Sequence, residues 1–547
     1  MAGAKSTSIS ERSGQNSLST KNASSLSSDS LIEQPQQTRH SPRDIPSNVI
    51  AALHKRGLDI DDTGNACWQP TSRHHPRRWT RARKLYDTSI ICFLEFFMTL
   101  ASNEGIAIAQ NQYEELGTST ETAIAAFTTV YFMGQALGSV IFPPIAESYG
   151  SRSIYATCGF GFMSCGLILG MVPKLPMVFV CRFFEGLFSA MPAVVAASSL
   201  ENLWDMRARV WVFQIWTSIS VVGLSCGPLV GTVVGISLGW HWVFFISAMV
   251  GGTLGVLSLF MRESRPSLQL EIQVNKVARE TNYKELGVDV GGTPPTFGRF
   301  VQTSLKLPVR LFLTEPLVFT IALMAASVYS FAYLFTEALP VVYSGEFDFT
   351  PVQQALVYLA LGVGAILTVL PRPYDLHVLA KRDRQGVDVT PEDKLFGFYV
   401  AAPVLAVGLW WFAWTVPPLV RVTPWASIPA LVLFGYSTVE FDNVLSGYLA
   451  DTYASFAGSA NAPLAFLRAI MSGLFPLCGT QLFSLGPNYV LTALSVLATA
   501  YCGIAVWFRI HGRNIRLKSP FAEKTWADAR SNSAAGLTAV RPNSESA

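Results

Sequence analysis

The chain has 547 residues, of which 50% are hydrophobic and only 14% charged, with a formal net charge of +3 at pH 7. A soluble protein carries roughly 25% charged residues, so an ordinary soluble domain is excluded, and a charge this close to balance gives no general attraction to nucleic acid. The eight cysteines show no CxxC or paired spacing, which points to neither a zinc site nor a disulfide framework.

Residues 1–86 are polar and rich in Ser, Gln, Pro and Arg. They contain no apolar core of a signal peptide and too little apolar surface to order themselves, so they read as a disordered tail. The tail ends in RHHPRRWTRARK (73–84), a basic cluster of the kind retained on the cytoplasmic side. Anionic lipid is a simpler partner for it than nucleic acid. Long apolar runs follow. A membrane-spanning helix needs about 20 apolar residues, and twelve segments meet this: 88–110, 122–146, 154–172, 176–199, 210–236, 240–261, 312–343, 350–371, 395–416, 425–450, 459–484 and 487–508. The polar segment 262–310 divides them six and six. The expected organisation is a six-helix bundle over 87–261, a central cytoplasmic loop over 262–310, a second bundle over 311–510 and a cytoplasmic tail over 511–547.

Lysine and arginine gather in the loops on the side of the N-terminus, among them Arg152, Arg207, Arg209, Arg372 and Lys394. On the other side QYEELGTSTE (112–121) and GEFDF (345–349) are acidic. This asymmetry predicts that both termini are cytoplasmic. PPIAESYGSR (143–152) and PRPYDLHVLAKR (371–382) echo one another after the second span of each half, as duplicated halves of a secondary transporter would.

PPIAESYGSRSIY (143–155), with Glu147, Gly150 and Arg152 in place, resembles the loop signature of the major facilitator superfamily, in the form found in fungal drug:proton antiporters. RFFEGLFSAMPAV (182–194) is similar to its fourth-span signature, and GLSCGPLVGT (223–232) to its fifth-span antiporter signature. PEDKLFGFYVAAPVLAVGLWWFAWT (391–415) and GYLADTYASFAGSANAPLAFLRAIMSGLFPL (447–477) resemble the ninth-span and eleventh-span signatures of the twelve-span group that includes polyamine and toxin exporters. The resemblance implies an all-α membrane protein with twelve transmembrane helices in two pseudo-symmetric six-helix bundles. It further implies a monomer that needs no cofactor and exports a small organic molecule in exchange for protons across the plasma membrane, with the vacuolar membrane as the alternative. Proton-coupled uptake of a metabolite is the runner-up, and a transporter-like sensor the rival from another class. No GxxxxGK[ST] loop or HExxH occurs, so neither ATP hydrolysis nor metalloprotease chemistry is supported.

Charges at lipid depth are the functional candidates, because each costs a few kcal/mol. Glu440 and Asp442 lie mid-way along the tenth span, about 200° apart on a helix, and are proton-carrier candidates; Arg468 is the obvious base to pair with them. Arg182 and Glu185, three residues apart, form a second candidate pair. Asn103, Glu104, Gln214, Tyr329, Tyr333 and Asn443 are candidates for a substrate cavity. Gating falls to Glu147, Gly150, Arg152, Asp375, Asp451, Arg468 and the fifth-span stripe Gly223, Gly227, Pro228 and Gly231. Glycines four apart share one helix face and let backbones approach closely. That face, bent by Pro228, is expected to meet a span of the other half. Glu95 reads as lying near the cytoplasmic end, and Glu337 as belonging to an outer gate or a solvated helix end.

Overall fold

Only a structure that satisfies its own backbone can cross hydrocarbon, and the apolar runs accordingly fold as helices. The computed structural model describes residues 45–61, 64–115, 117–283, 286–288, 306–386, 390–417, 422–453, 457–517, 519 and 521. The first span is Arg81–Gln112. The second comprises Thr120–Ile124, a π turn Ala125–Thr129 and Val130–Tyr149. Spans three to six are Ser151–Met171, Leu175–Leu203, Met206–Leu238 and Trp240–Leu259. The seventh is Pro316–Leu339, prolonged by a π turn Pro340–Ser344. The eighth is Pro351–Val357 with Leu359–Leu367, followed by helix Arg372–Gln385. Spans nine to twelve are Phe396–Thr415, Ile428–Thr452, Ala457–Ser484 and Pro487–Leu517.

Among the described residues, 11 helices are long and apolar enough to cross a membrane. The helix outside that set is Ile428–Thr452, the expected tenth span, which carries Glu440, Asp442 and Asp451. Its polarity is accommodated by packing. In the first half, span one packs on five, two on four and three on six; in the second, seven packs on eleven, eight on ten and nine on twelve. Raising each number by six reproduces the pairing, so the two halves share one plan. Across them, two meets eleven and five meets eight.

The glycine stripe departs from expectation. Gly223, Gly227 and Gly231 face the first span of their own half: a Cβ on Gly227 would lie 2.6 Å from the Leu100 carbonyl, and one on Gly231 2.6 Å from that of Glu104. Span five meets the other half along a different face, where Ser218 donates to the Ala365 carbonyl at 3.0 Å and Ser225 abuts Gly362. The stripe therefore fuses one bundle internally.

Residues 45–80 also depart from expectation. Helix Ser47–Lys55 and strands Leu58–Ile60 and Asn65–Trp68 join helix Pro266–Thr281 and strand Gly287–Val288 of the central segment. The two strands of the tail are antiparallel, and the third adds in parallel to the second. Val49, Leu53, Leu58, Leu270, Val274 and Val277 form the core of this unit. Composition misleads here because the apolar partner surface comes from residues some 200 positions away in sequence, as shown by Trp68 Nε1 donating to the Pro266 carbonyl at 3.2 Å. Residues 1–44, 289–305 and 522–547 of the expected tails and loop lie outside the described residues.

Gly227→Ala is expected to lower the melting temperature of the detergent-solubilised protein, because overpacking costs about 1–3 kcal/mol. Gly447→Ala, whose new methyl would meet nothing within 4 Å, should leave it unchanged or raise it, since helical glycine costs about 0.5–1 kcal/mol relative to alanine.

Candidate functional site

Between the halves, at mid-span depth, one cluster gathers side chains from six helices. Asp442 of the tenth span accepts hydrogen bonds at both carboxylate oxygens from Nη1 of Arg468 on the eleventh, at 3.0 and 3.1 Å. The Arg468 guanidinium lies 4.8 Å from the centre of the Tyr329 ring, a cation–π distance. Tyr329, from the seventh span, shares a 3.0 Å hydrogen bond with Ser220 of the fifth. One turn further on, Tyr333 bonds Ser102 of the first at 2.9 Å and meets Phe132 of the second edge-on at 4.7 Å.

Glu95 completes the cluster from the first span. Its charge faces Arg468 and Asp442, and it stands beside Ser220 and Trp216. It is 4% exposed; the Ser220 hydroxyl and the Trp216 indole NH lie toward its carboxylate, but neither Glu95 Oε2 nor Trp216 Nε1 makes a hydrogen bond of good geometry among the described residues. Two carboxylates thus share one guanidinium, and that guanidinium is already committed to Asp442. With both acids ionised, the cluster would carry one uncompensated negative charge away from bulk water.

The other acids sit differently. Glu440, on the opposite side of its helix from Asp442, is fully buried, and both of its oxygens accept from Nη2 of Arg372. Arg372 also reaches Asp375 at 3.0 Å. Gly397 of the ninth span makes room for this triad, since a Cβ there would collide with the Glu440 carboxylate. Every member belongs to the second half. In the first half Arg182 is equally sealed. It donates to Glu185 at 3.0 Å, to the Phe127 carbonyl in the π turn at 2.7 Å and to the Ala101 carbonyl at 3.2 Å, and it lies over Tyr131 at 4.4 Å. Glu104 faces this pair and accepts from Ser247 at 3.0 Å, on the side of span one away from Glu95.

The remaining candidates divide by position. Asn103 turns away from the central cluster. Pro228 has no amide hydrogen to give the carbonyl of Leu224 four residues back, and Asn103 Nδ2 donates to it at 2.9 Å. Gln214 bonds Ser218 at 2.7 Å and also Thr368, and Asn443 reaches its Oε1 at 3.4 Å, so these two join spans five, eight and ten. At the end where span one begins, Gly150 adopts φ +87° between spans two and three, a backbone that favours glycine. The Arg152 amide donates to Glu263 at 3.2 Å and its guanidinium to the Leu259 carbonyl, while Asp451 pairs with Lys394 at 2.6 Å. The Glu147 side chain lies outside the described residues.

Thus Asp442, Arg468, Tyr329 and Tyr333 come together, with Arg468 at the centre as the base paired to Asp442. Trp216, Ser220 and Ser102 are the cluster's unforeseen members, and Glu95, expected nearer the cytoplasmic end, joins them. The Glu95 signal was present in the sequence: a helix that starts at Arg81 and not at 88 places it deep in the span. Nothing local marks Trp216, Ser220 or the Glu440 partner Arg372. Phe331 stacks on Phe475 and Phe335 packs against Phe412 and Phe434, so the two phenylalanines that alternate with Tyr329 and Tyr333 along span seven belong to the core of the second half.

Two six-helix halves on one plan, meeting at a buried polar cluster, define a membrane transporter. The chain belongs to the Major Facilitator Superfamily, whose family model matches residues 90–476. It is 27% identical over 473 residues to the MFS-type transporter penM of Penicillium rubens, covering 84% of this chain and 91% of that one. It is 24% identical to the efflux pump radE of Floropilus chiversii, over 83% and 85%. The crystal structure of the human organic anion transporter MFSD10 (TETRAN) shares its fold, with a TM-score of 0.54 and 13% identity over 77% of this chain and 99% of that one.

Removing one partner of a buried ion pair costs about 3–5 kcal/mol, whereas replacing both with apolar groups of similar size is often neutral. Arg372→Met is therefore expected to reduce the thermal stability of the purified protein strongly. Arg372→Met combined with Glu440→Leu should recover most of the loss in the same melting assay.

Proposed function

We propose that the protein exports a small organic molecule in exchange for protons, by alternating exposure of the cluster between its halves. In this reading it is a monomer in the plasma membrane with both termini in the cytoplasm, so that the basic loops lie inside. Glu95 and Asp442 are the proton-carrying acids, Arg468 holds their charge balance, and Tyr329 and Tyr333 offer ring faces to the substrate. The likeness to the efflux pump radE and the fifth-span signature support the outward direction.

The observation that carries the proposal is that two buried carboxylates, Glu95 and Asp442, face one arginine, Arg468, whose hydrogen bonds go to Asp442. An ionised acid there faces a desolvation cost, which either a proton or a substrate group relieves. Two occupants that relieve the same cost compete, and competition at a site open to one side at a time is exchange. Glu440 and the Arg182–Glu185 pair take supporting parts in this scheme, each holding its own half together.

Proteoliposomes under an imposed pH gradient test it, with ethidium, naphthoate and coumarin as cationic, anionic and neutral aromatic probes. At least one probe should move against its own gradient. Glu95→Gln and Asp442→Asn should each cut that gradient-driven flux about tenfold or more, the factor that about 1.4 kcal/mol of differential proton binding sets, while leaving probe counterflow intact. Normal gradient-driven flux in both variants would overturn the assignment.

A further inference from the structure

A second buried acid lies between the halves, away from the cluster and at the opposite end of span one from its basic start. Glu337, near the end of the seventh span, is 6% exposed. Gln110 Nε2, from the first span, donates to its Oε1 at 3.0 Å, and the Thr480 hydroxyl, from the eleventh, bonds its Oε2 at 3.3 Å. The same Gln110 nitrogen donates to the Thr336 carbonyl at 3.1 Å. That carbonyl is available because Pro340, four residues on, has no amide hydrogen. Gly479 packs against the Glu337 side chain, leaving no space for another group there. One amide of the first half thus fastens two acceptors of the second.

Unlike Glu95, Glu104, Glu185 and Glu440, which each face an arginine, Glu337 faces no base among the described residues. Its neighbours are Gln110 and Thr480 and, from the eighth span, the titratable Tyr358. On this side Glu121 of the second span accepts from Gln481 of the eleventh at 3.5 Å. No Lys, Arg or His faces Glu337 among the described residues. An ionised carboxylate enclosed in this way is uncompensated. A protonated one satisfies every contact: Oε1 accepts from Gln110, and the hydroxyl at Oε2 donates to Thr480.

We propose that Glu337 is a second proton-binding site, which locks the outer ends of the first and seventh spans together while it carries a proton. This rests on the exchange cycle and orientation proposed above, in which these ends face outside. There a proton taken up from outside closes the outer mouth behind a departing substrate. Loss of the proton leaves a charge that only water can satisfy, and the Gln110 contact opens to admit it. The site therefore senses external acidity and makes return to the inward-open form depend on it.

Hydrogen exchange of the full chain in lipid nanodiscs tests this without a substrate, comparing variants at about pH 5 and about pH 8, the span over which such a switch would operate. In the peptides 105–115 and 336–345, wild type should exchange about tenfold faster than Glu337→Gln at the higher pH, a shift of about 1.4 kcal/mol, and match it at the lower. Gln110→Ala should exchange fast at both. Agreement of wild type with Glu337→Gln at both values would overturn the proposal, as would fast exchange of Glu337→Gln at both. If Glu337→Gln does not fold, wild type carries the test alone. After correction for intrinsic rates, its outer peptides must gain exchange between the two pH values while residues 145–152 do not. Failure here with normal pH-driven flux removes the latch and leaves the exchanger standing. Success here without any pH-driven flux keeps a pH-gated protein and removes the exchanger.

Discussion

The Asp442–Arg468 ion pair organises the centre of the molecule. Arginine cannot discharge itself at lipid depth, since its guanidinium stays protonated in proteins, so Arg468 must be answered by a carboxylate and by ring faces. Asp442 and Tyr329 supply both. Once the pair is made, any further acid nearby is in excess. That excess is Glu95, and the chemistry of the cluster follows from it. The pair is also less enclosed than the sealed ones: 15% and 17% of its side chains are exposed, against none for Arg182 and Glu185.

Span one is the common element in this arrangement. Along one helix, Glu95 faces the inter-half cluster, Ser102 holds Tyr333, Asn103 caps Leu224, Glu104 looks into its own bundle and Gln110 reaches Glu337. Two of these residues repair breaks made by proline. Pro228 and Pro340 each withhold an amide hydrogen, and side-chain amides of span one donate to the carbonyls four residues earlier. A proline inside a spanning helix is tolerable where a neighbour supplies the missing donor. The prolines thus decide where Asn and Gln are needed, and they fix how span one seats against spans five and seven. The glycine stripe does the same through shape, since Gly227 and Gly231 let the span one backbone come within reach of span five.

The fold was legible because hydropathy and charge report directly on the membrane. Twelve apolar runs, a polar interruption and one-sided basic loops are local properties. The site was legible only in part. Residue type and depth marked Asp442, Arg468 and Tyr329, since an ion or a run of aromatics inside a span stands out. Glu440 was equally conspicuous, but the distinction between it and Asp442 depends on Arg372, 68 positions away. The glycine stripe was recognised as a contact face, but a period of four does not name the helix it touches. Residues 45–80 failed for the same reason, their core being completed by Leu270, Val274 and Val277. What sequence omits in each case is the identity of a distant partner.

Partner identity also separates the acids that can be coupled to movement from those that cannot. When two rigid halves rock against one another, a group whose neighbours all lie in its own half keeps the same surroundings in every state. Glu440 with Arg372 and Asp375, Glu185 with Arg182, and Glu104 with Ser247 are of this kind. Whatever charge they hold, the movement gives no reason to change it. Glu95 and Glu337 are different, because their surroundings are contributed by both halves: Arg468, Asp442 and Ser220 around one, Gln110 and Thr480 around the other. Separation of the halves must strip neighbours from each of them and admit water. A ligand shifts a conformational equilibrium only through its differential affinity for the two states, and a proton is no exception. In the proposed exchange cycle, the acids that bridge the halves are therefore those at which proton binding and the movement would exert leverage on one another, however deeply the rest are buried.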